Sequence, residues 1–495
     1  MSKNEIRVQY SGFIIFAAQI LSLVTGIVFT LLLTRNMSHD QYGVWSFIFA
    51  VIGPFTLLSG VFTFWATRFA ARGKEGTIKT AVSANLIVGL VAAAVYLPLL
   101  APVMSAFNIG GVYFLVYAIA SLQIINTFLI AILEGCLRAV KPQAIGYGLL
   151  IEEVIKVTLA YVLIVGLKQL FLGAIISLIV GASVQAVFYV WLLTAYLRQT
   201  IRWNYLKEWL KGSAAFIYNA VGNQMVAFVL YLLVLYGGQA ALGEYQAALT
   251  FATIIGYSAS LTFALYPKML SQECSEDVAE SFKTMLMLAF PMAVIAITLS
   301  RSLLTILNAS YSTASPILML LTVDTLVVLV SQFYTQYLLG AETFDVEGKI
   351  LLNQLVKSKI FKVFTLPYVQ AVIALPAVYY VLTQVGFADS MQAVTYVVAI
   401  NIIVHTITFI ALYALTHGEV KIFVAWKSVG KFTLASLATA AVLLLLPHTT
   451  TLAATFGKVL IGAATYAALL LAIDANARRL VAQIWAEIRG VFHSG

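Results

Sequence analysis

Four ionisable side chains stand deep inside apolar sequence, where each is costly to place and is therefore a candidate for chemistry. Glu152, Glu153 and Lys156 fall together in GYGLLIEEVIKVTLAYVLIVG, and Asp324 falls in PILMLLTVDTLVVLVSQFY. On a helix, Glu152 and Lys156 are spaced i,i+4 and Glu153 and Lys156 i,i+3, so one face can hold an internal ion pair. Such a pair either only eases insertion into lipid or leaves its second carboxylate to take up a proton or Na+. Asp324 has no charged neighbour in its own stretch, which makes it the lone titrating group. Amide and hydroxyl groups cluster in two other stretches: Gln19, Ser22 and Thr25 in one, Tyr218, Asn219, Asn223 and Gln224 in another. Asn219 and Asn223 share a helical face at i,i+4. In lipid such groups either bond neighbouring helices or line a wet cavity. His405 and His417 are isolated, and no His, Cys, Asp or Glu spacing suits a metal site. No G-x-x-x-x-G-K-S/T run is present, so a nucleotide-driven cycle is not expected. Energy is then expected from an ion gradient, the membrane potential or the substrate gradient itself, with H+ or Na+ the candidate coupling ion and no other cofactor expected.

The elements that must position these residues are membrane spans. Fourteen apolar stretches fill the chain, each near the roughly 20 residues that cross a bilayer core. Hydrophobic residues make up 62% of the 495 and charged residues 10%, with a mean hydropathy of +0.96, against about 25% charge in soluble domains. With the N-terminus inside, 24 of the 29 Lys and Arg fall on one side, which marks that side as cytoplasmic and puts both termini there. The net charge of +9 is therefore a topology signal spread over short loops, and nucleic acid is not an expected partner. Arg68 and Arg72 follow the rule at the inner end of the second stretch. Arg35, Lys156, Lys168, Arg301 and Lys458 do not follow it. Cys136 and Cys274 map to cytoplasmic loops and read as reduced thiols. The segments IRWNYLKEWLK and EGKILLNQLVKSKIFK, and a tail with Leu480, Ile484, Ile488 and Phe492, read as amphipathic helices at the inner interface. Pro54, Pro98, Pro291, Pro367 and Pro376 mark expected kinks.

Transporters are often built from duplicated bundles, and a shift of 203 residues aligns the first pair of stretches with the seventh and eighth. Phe13-Ile14 then meets Phe216-Ile217, Tyr42 meets Tyr245, and Gly53 meets Gly256. The shift crosses six stretches, so the copies run parallel. The expected fold is an all-α polytopic membrane protein of about 14 transmembrane helices. It has an N-terminal six-helix lobe (1–200), a C-terminal six-helix lobe (201–418), and two added helices with an amphipathic cytoplasmic tail (419–495).

The opening LTRNMSHDQYGVWSF, followed by a glycine-containing second span ending TRFAARGKEG, resembles the polysaccharide-transporter branch of the multidrug/oligosaccharidyl-lipid/polysaccharide exporter superfamily, which includes O-antigen-type flippases. The resemblance covers about the first 75 residues and rests on architecture beyond them. It implies a pair of lobes around a cavity with alternating access. It also implies a multi-pass protein of the cell membrane that moves a polyprenyl-(pyro)phosphate-linked oligosaccharide from the inner to the outer leaflet. The implied partners are that lipid-linked glycan, membrane lipids and enzymes of glycan biosynthesis, with the protein itself a monomer and not an enzyme. For such a substrate, arginine forks match phosphate oxygens. Arg68 and Arg72 are first contacts or plain positive-inside residues; Arg35 and Arg301 hold the head group in an outward-open state or snorkel to lipid phosphates. Gln19, Asn219 and Asn223 are the expected sugar contacts, and Asp324, Glu152, Glu153 and Lys156 the expected coupling groups. A cation-coupled drug exporter of the same superfamily is the alternative, though twelve spans are usual for that kind. A glycan polymerase or glycosyltransferase would need a large external loop or a cytoplasmic catalytic domain, and the chain has neither stretch.

Overall fold

A backbone in hydrocarbon finds no water, so its N–H and C=O groups must be satisfied within the segment, which an apolar chain achieves as helix. The computed structural model describes residues 8–262, 275–341, 359–385, 387–416, 426–447, 451–474 and 477–478. Among the described residues there are helices and turns and no strand. The α-helices in the first half of the chain are α1 (Val8–Thr34), α2 (His39–Thr56), α3 (Thr63–Ala71), α4 (Thr77–Ala106), α5 (Phe114–Ile119), α6 (Ser121–Val140), α7 (Gln143–Ala160), α8 (Leu170–Leu192), α9 (Thr194–Leu197), α10 (Trp203–Leu232) and α11 (Gly238–Ala252). They continue as α12 (Ser275–Thr298), α13 (Ser300–Leu307), α14 (Ser315–Ala341), α15 (Lys359–Tyr380), α16 (Ser390–Thr416), α17 (Trp426–Leu445) and α18 (Leu452–Ile473).

Ten described helical segments are long and apolar enough to cross a membrane. The expected fourteen stretches differ from these at identifiable places. In α1 the described apolar run is the shorter Leu21–Thr34. The second stretch is broken: α2 stops at Thr56, two residues past Pro54, and α3 restarts at Thr63. The fifth, α7, carries three charged residues. The seventh and eighth form one apolar run, Ser213–Ala259, divided at Gly238, whose φ of +85° is a backbone state that glycine adopts freely.

Proline removes the donor for the carbonyl four residues earlier, and tyrosines on neighbouring helices replace two such donors. Pro54 leaves the Ala50 carbonyl free, and the Tyr231 hydroxyl of α10 donates to it. Pro291 leaves the Met287 carbonyl free, and the Tyr466 hydroxyl of α18 donates to it at 2.7 Å. Across the α2–α3 break, Asn85 Nδ2 donates to the Ser59 carbonyl at 3.1 Å, and Ser213 Oγ, whose shorter bond is to the Trp209 carbonyl at 2.7 Å, lies 3.1 Å from the Val61 carbonyl. Side chains from other helices thus reach carbonyls of the break.

The chain forms two compact units. One comprises Met1–Gln246 and Phe364–Val394. In it α7 packs against α1 and α8, and α6 against α3, α4 and α8. The unit includes the start of α11, which meets α2. A Cβ at Gly43 would meet the Gln239 carbonyl oxygen at 1.8 Å, and one at Gly243 would meet the His39 carbonyl oxygen at 2.3 Å. The expected interfacial helix around Trp203 and Trp209 is instead the first part of α10, continuous with its apolar run. Trp209 is fully buried against Phe62, Phe69 and Tyr205. Cys136 is not in a loop but fully buried within α6. Cys274, most of EGKILLNQLVKSKIFK, and Leu480 to Phe492 lie outside the described residues.

The other unit comprises Ala247–Val363 and Thr395–Gly495. Here α12 packs against α14, α17 and α18, and α17 against α18. Ile295, Leu299 and Leu443 form a small core where Gly462 of α18 approaches. At the other end of the pair, Lys431 Nζ donates to Asp474 Oδ2 at 3.1 Å.

Candidate functional site

Helix α7 presents Glu153 and Lys156 to α1, the helix it packs on. Lys156 Nζ lies 2.7 Å from Glu153 Oε2, and both side chains are buried. Ser22 Oγ donates to Glu153 Oε1 at 2.7 Å, and Thr25 Oγ1 donates to Glu153 Oε2. The expected i,i+3 pair is therefore present, and both carboxylate oxygens are satisfied. Ser22 and Thr25, expected among the groups available to a sugar, are donors to Glu153 in this structure. Glu152 has no hydrogen-bond or ion-pair partner among the described residues, but it shares the field of Lys156, Glu153 and Glu134. Glu134 of α6 is the residue that sequence reading missed. It sits near a span end beside Arg138, and only the fold brings α6 and α8 to α7.

Asp324 is not alone. His405 Nδ1 lies 2.7 Å from Asp324 Oδ1, joining α14 to α16 across 81 residues of sequence. The lone-group expectation fails because the partner comes from another helix, and so does the reading of His405 as isolated. Further along the same two helices, Tyr334 packs edge to face against Phe409 and Tyr413. The contact joins a carboxyl oxygen to an imidazole nitrogen at hydrogen-bond distance.

The expected phosphate contacts lie on several elements. Arg68, half-buried on α3, lies with its guanidinium 4.3 Å from the Phe64 ring centroid. Arg72, just past α3, is exposed, as are Arg35 after α1 and Arg301 in α13. Arg35, Arg68 and Arg72 belong to one unit and Arg301 to the other. Asn219 and Asn223 meet as their spacing predicts: Asn223 Nδ2 donates to the Asn219 carbonyl at 2.9 Å. Tyr218 beside them stacks on Tyr368 at 4.4 Å. Gln19 lies in α1, with its side chain outside the described residues. One further cluster went unread. Glu244 of α11 accepts from Ser390 Oγ at 3.1 Å and lies 3.5 Å from His39 Nδ1. Among the described residues, no three His, Cys, Asp or Glu come together as a metal site.

No protein-family profile matches the chain, and no curated protein matches it by sequence. Solved structures match by fold. The lipid II flippase MurJ in an inward closed conformation has a TM-score of 0.67 at 14% identity, covering 95% of this chain and 100% of that one. An inward-facing multidrug resistance MATE family transporter of the MOP superfamily has a TM-score of 0.60 at 14% identity, covering 81% and 96%. A MATE structure in the straight conformation has 0.56 at 14% identity, covering 83% and 96%. The chain thus has the helical fold of these proteins, in keeping with the superfamily resemblance of its opening residues, and is a multi-pass membrane protein.

Proposed function

We propose that the protein is a flippase that moves a polyprenyl-(pyro)phosphate-linked oligosaccharide from the inner to the outer leaflet by alternating access. The observation that carries this reading is coverage. The lipid II flippase is matched along its whole length and along 95% of this chain. The MATE structures leave a share of the chain unmatched that is comparable in size with residues 419–495. The reading includes fourteen spans, two six-helix lobes at 1–200 and 201–418, both termini cytoplasmic, and a place in the cell membrane. The protein works as a monomer beside enzymes that build the glycan, and does not itself catalyse a covalent step. Arg68 and Arg72 meet the phosphates at entry, and Arg35 and Arg301 meet them at exit. Gln19, Asn219 and Asn223 meet sugar hydroxyls. Asp324, Glu152, Glu153 and Lys156 couple the cycle to H+ or Na+, with Glu153 and Lys156 as a fixed pair and His405 joining Asp324.

The MATE-like fold favours a second reading, export of small amphipathic drugs. Reconstitution separates the two. In vesicles with a polyprenyl-pyrophosphate glycan in the inner leaflet, the flippase exposes the head group to an enzyme added outside. A head group that stays protected while a cationic dye is extruded overturns the flippase reading. In the same vesicles Asp324→Asn abolishes the pH dependence of transport; an unchanged profile removes Asp324 from coupling.

A further inference from the structure

Helix α8 places Gly181, Gln185 and Tyr189 at successive i,i+4 positions, on the face that meets α7. Two glycines build this contact. A Cβ at Gly181 would lie 3.4 Å from Glu152 Cγ and 3.3 Å from Lys156 Cβ, so α7 closes here with Glu152 alongside α8. A Cβ at Gly148 would fall 2.1 Å from Tyr189 Cε1, so only a glycine admits that ring across α7.

The hydrogens along this face can be accounted for one by one. Tyr189 has a single hydroxyl hydrogen, and its shorter bond is to the Ile145 carbonyl at 2.9 Å. Its oxygen accepts from Gln185 Nε2 at 2.9 Å and lies 3.4 Å from Glu134 Oε1. Gln185 is 1% exposed, yet its Oε1 has no hydrogen-bond partner. A buried acceptor of this kind calls for a donor. The charges give the same answer. Lys156 neutralises Glu153, and the ammonium already fills the position a Na+ would take. Glu152 is then an excess negative charge inside a span, and hydrocarbon disfavours an uncompensated charge strongly enough that the group neutralises instead. A protonated carboxyl is both neutral and an O–H donor.

We propose that Glu152 carries an exchangeable proton, offered towards Gln185 Oε1, and that Gln185, Tyr189 and Glu134 form its route to the end of α6. The amide takes the proton at Oε1 and gives one from Nε2 to the Tyr189 oxygen. The Tyr189 hydroxyl turns from the Ile145 carbonyl to give its own hydrogen to Glu134 Oε1, and the amide then returns to its usual tautomer. The step moves one proton between a carboxyl and a carboxylate and transfers no electron. Among the described residues, the ionisable groups around the route are Glu134 and Arg138 on α6, Tyr147, Glu153 and Lys156 on α7, and Tyr189 on α8. From α1 the facing groups are the hydroxyls of Ser22 and Thr25. Arg138 is exposed, which puts the end of the route in contact with water or head groups. The proposal deepens the coupling role given above by naming the ion as H+ and adding Glu134, Gln185 and Tyr189. It rests on α7 crossing the membrane and not on the identity of the cargo.

Infrared spectroscopy of the full-length protein in lipid, without substrate, tests it. The wild type shows a protonated-carboxyl band at neutral pH that titrates away as pH rises; its absence overturns the proposal before any substitution is made. Glu152→Gln removes one carboxyl's worth of that band, and a band unchanged in this variant overturns the assignment. Glu134→Gln and Tyr189→Phe keep the band but slow its exchange into deuterated buffer at least tenfold. Exchange at the wild-type rate in both overturns the route. These readings are independent of glycan flipping, so either can fail without the other.

Discussion

At the scale of single residues, the carbonyls released by proline are the clearest case of a structure repairing its own defect. Tyr466→Phe deletes only a hydroxyl but leaves the Met287 carbonyl beneath Pro291 without a donor. Interhelical hydrogen bonds in membranes average about 0.6 kcal/mol, and an unsatisfied buried carbonyl costs about 1–3 kcal/mol. A loss of about 1–2 kcal/mol is expected in thermal or denaturant unfolding in detergent, with a similar loss for Tyr231→Phe. Asp474, just past the end of α18, gives a prediction in pH. Burial pushes its carboxyl up, but bonds from the Ala477 amide and Lys431, with the charges of Lys283 and Lys431, outweigh this and hold it below the usual range. Its folded value thus lies below its unfolded value of about 3.9, so its contribution is complete above that pH and is lost as pH falls through the folded value. The melting temperature of the wild type should exceed that of Asp474→Asn by a constant margin above about pH 5. The margin should close as the pH is taken lower. Local spacing made some of this chemistry legible in advance: Glu153 and Lys156 are three residues apart on one helix. Asp324 was legible only as half a pair, because nothing local announces a partner 81 residues away.

At the scale of elements, helix was legible throughout, since a long apolar run has no other way to satisfy its backbone. The interruptions were harder to read. Pro54 signals a kink, but the six turn residues between α2 and α3 are met by Asn85 and Ser213 from other helices. Trp209 read as an interfacial anchor because Arg202, Lys207 and Lys211 surround it in sequence. The ring instead fills the space between Phe62 and Phe69. The α2–α11 contact was invisible, because Gly43 and Gly243 act through what they lack. Gly43→Ala would place a carbon 1.8 Å from a backbone oxygen, which no rotamer change relieves, so the helices must part. Overpacking of this kind costs about 1–3 kcal/mol. Gly26→Ala, in open space, is the control, and helix propensity favours alanine there by roughly 0.5–1 kcal/mol. A parallel loss in both variants would mean that the α2–α11 approach is not close.

At the scale of the whole molecule, the question is how often the chain crosses the membrane. Among the described residues, length and hydropathy identify ten segments, whereas the distribution of Lys and Arg calls for fourteen crossings. The two counts part company at α1, at the α2–α3 break, at the single run Ser213–Ala259, and at α7, whose three charges disqualify it by composition alone. Accessibility decides between them. Cys136 is fully buried and is replaced by serine together with Cys274, so single cysteines can be introduced in a silent background. With fourteen crossings, Asn108→Cys, Lys168→Cys, Ala309→Cys, Ala388→Cys and Thr451→Cys react with an impermeant maleimide outside. Lys74→Cys, Lys141→Cys and Thr200→Cys react only after the membrane is opened. All eight positions are exposed, so silence cannot be blamed on burial. Lys168 and Lys141 are the informative pair, because they bracket α7 (Gln143–Ala160) and the turn after it. If both label from the same side, α7 does not cross. Glu152 then sits in no hydrocarbon, its excess charge needs no proton, and the coupling role falls with the topology. If they label from opposite sides, three charges are carried through the bilayer on one helix. The Lys156–Glu153 pair and its two hydroxyl donors on α1 then account for the tolerance of two of them, and Glu152 is the one left to be neutralised.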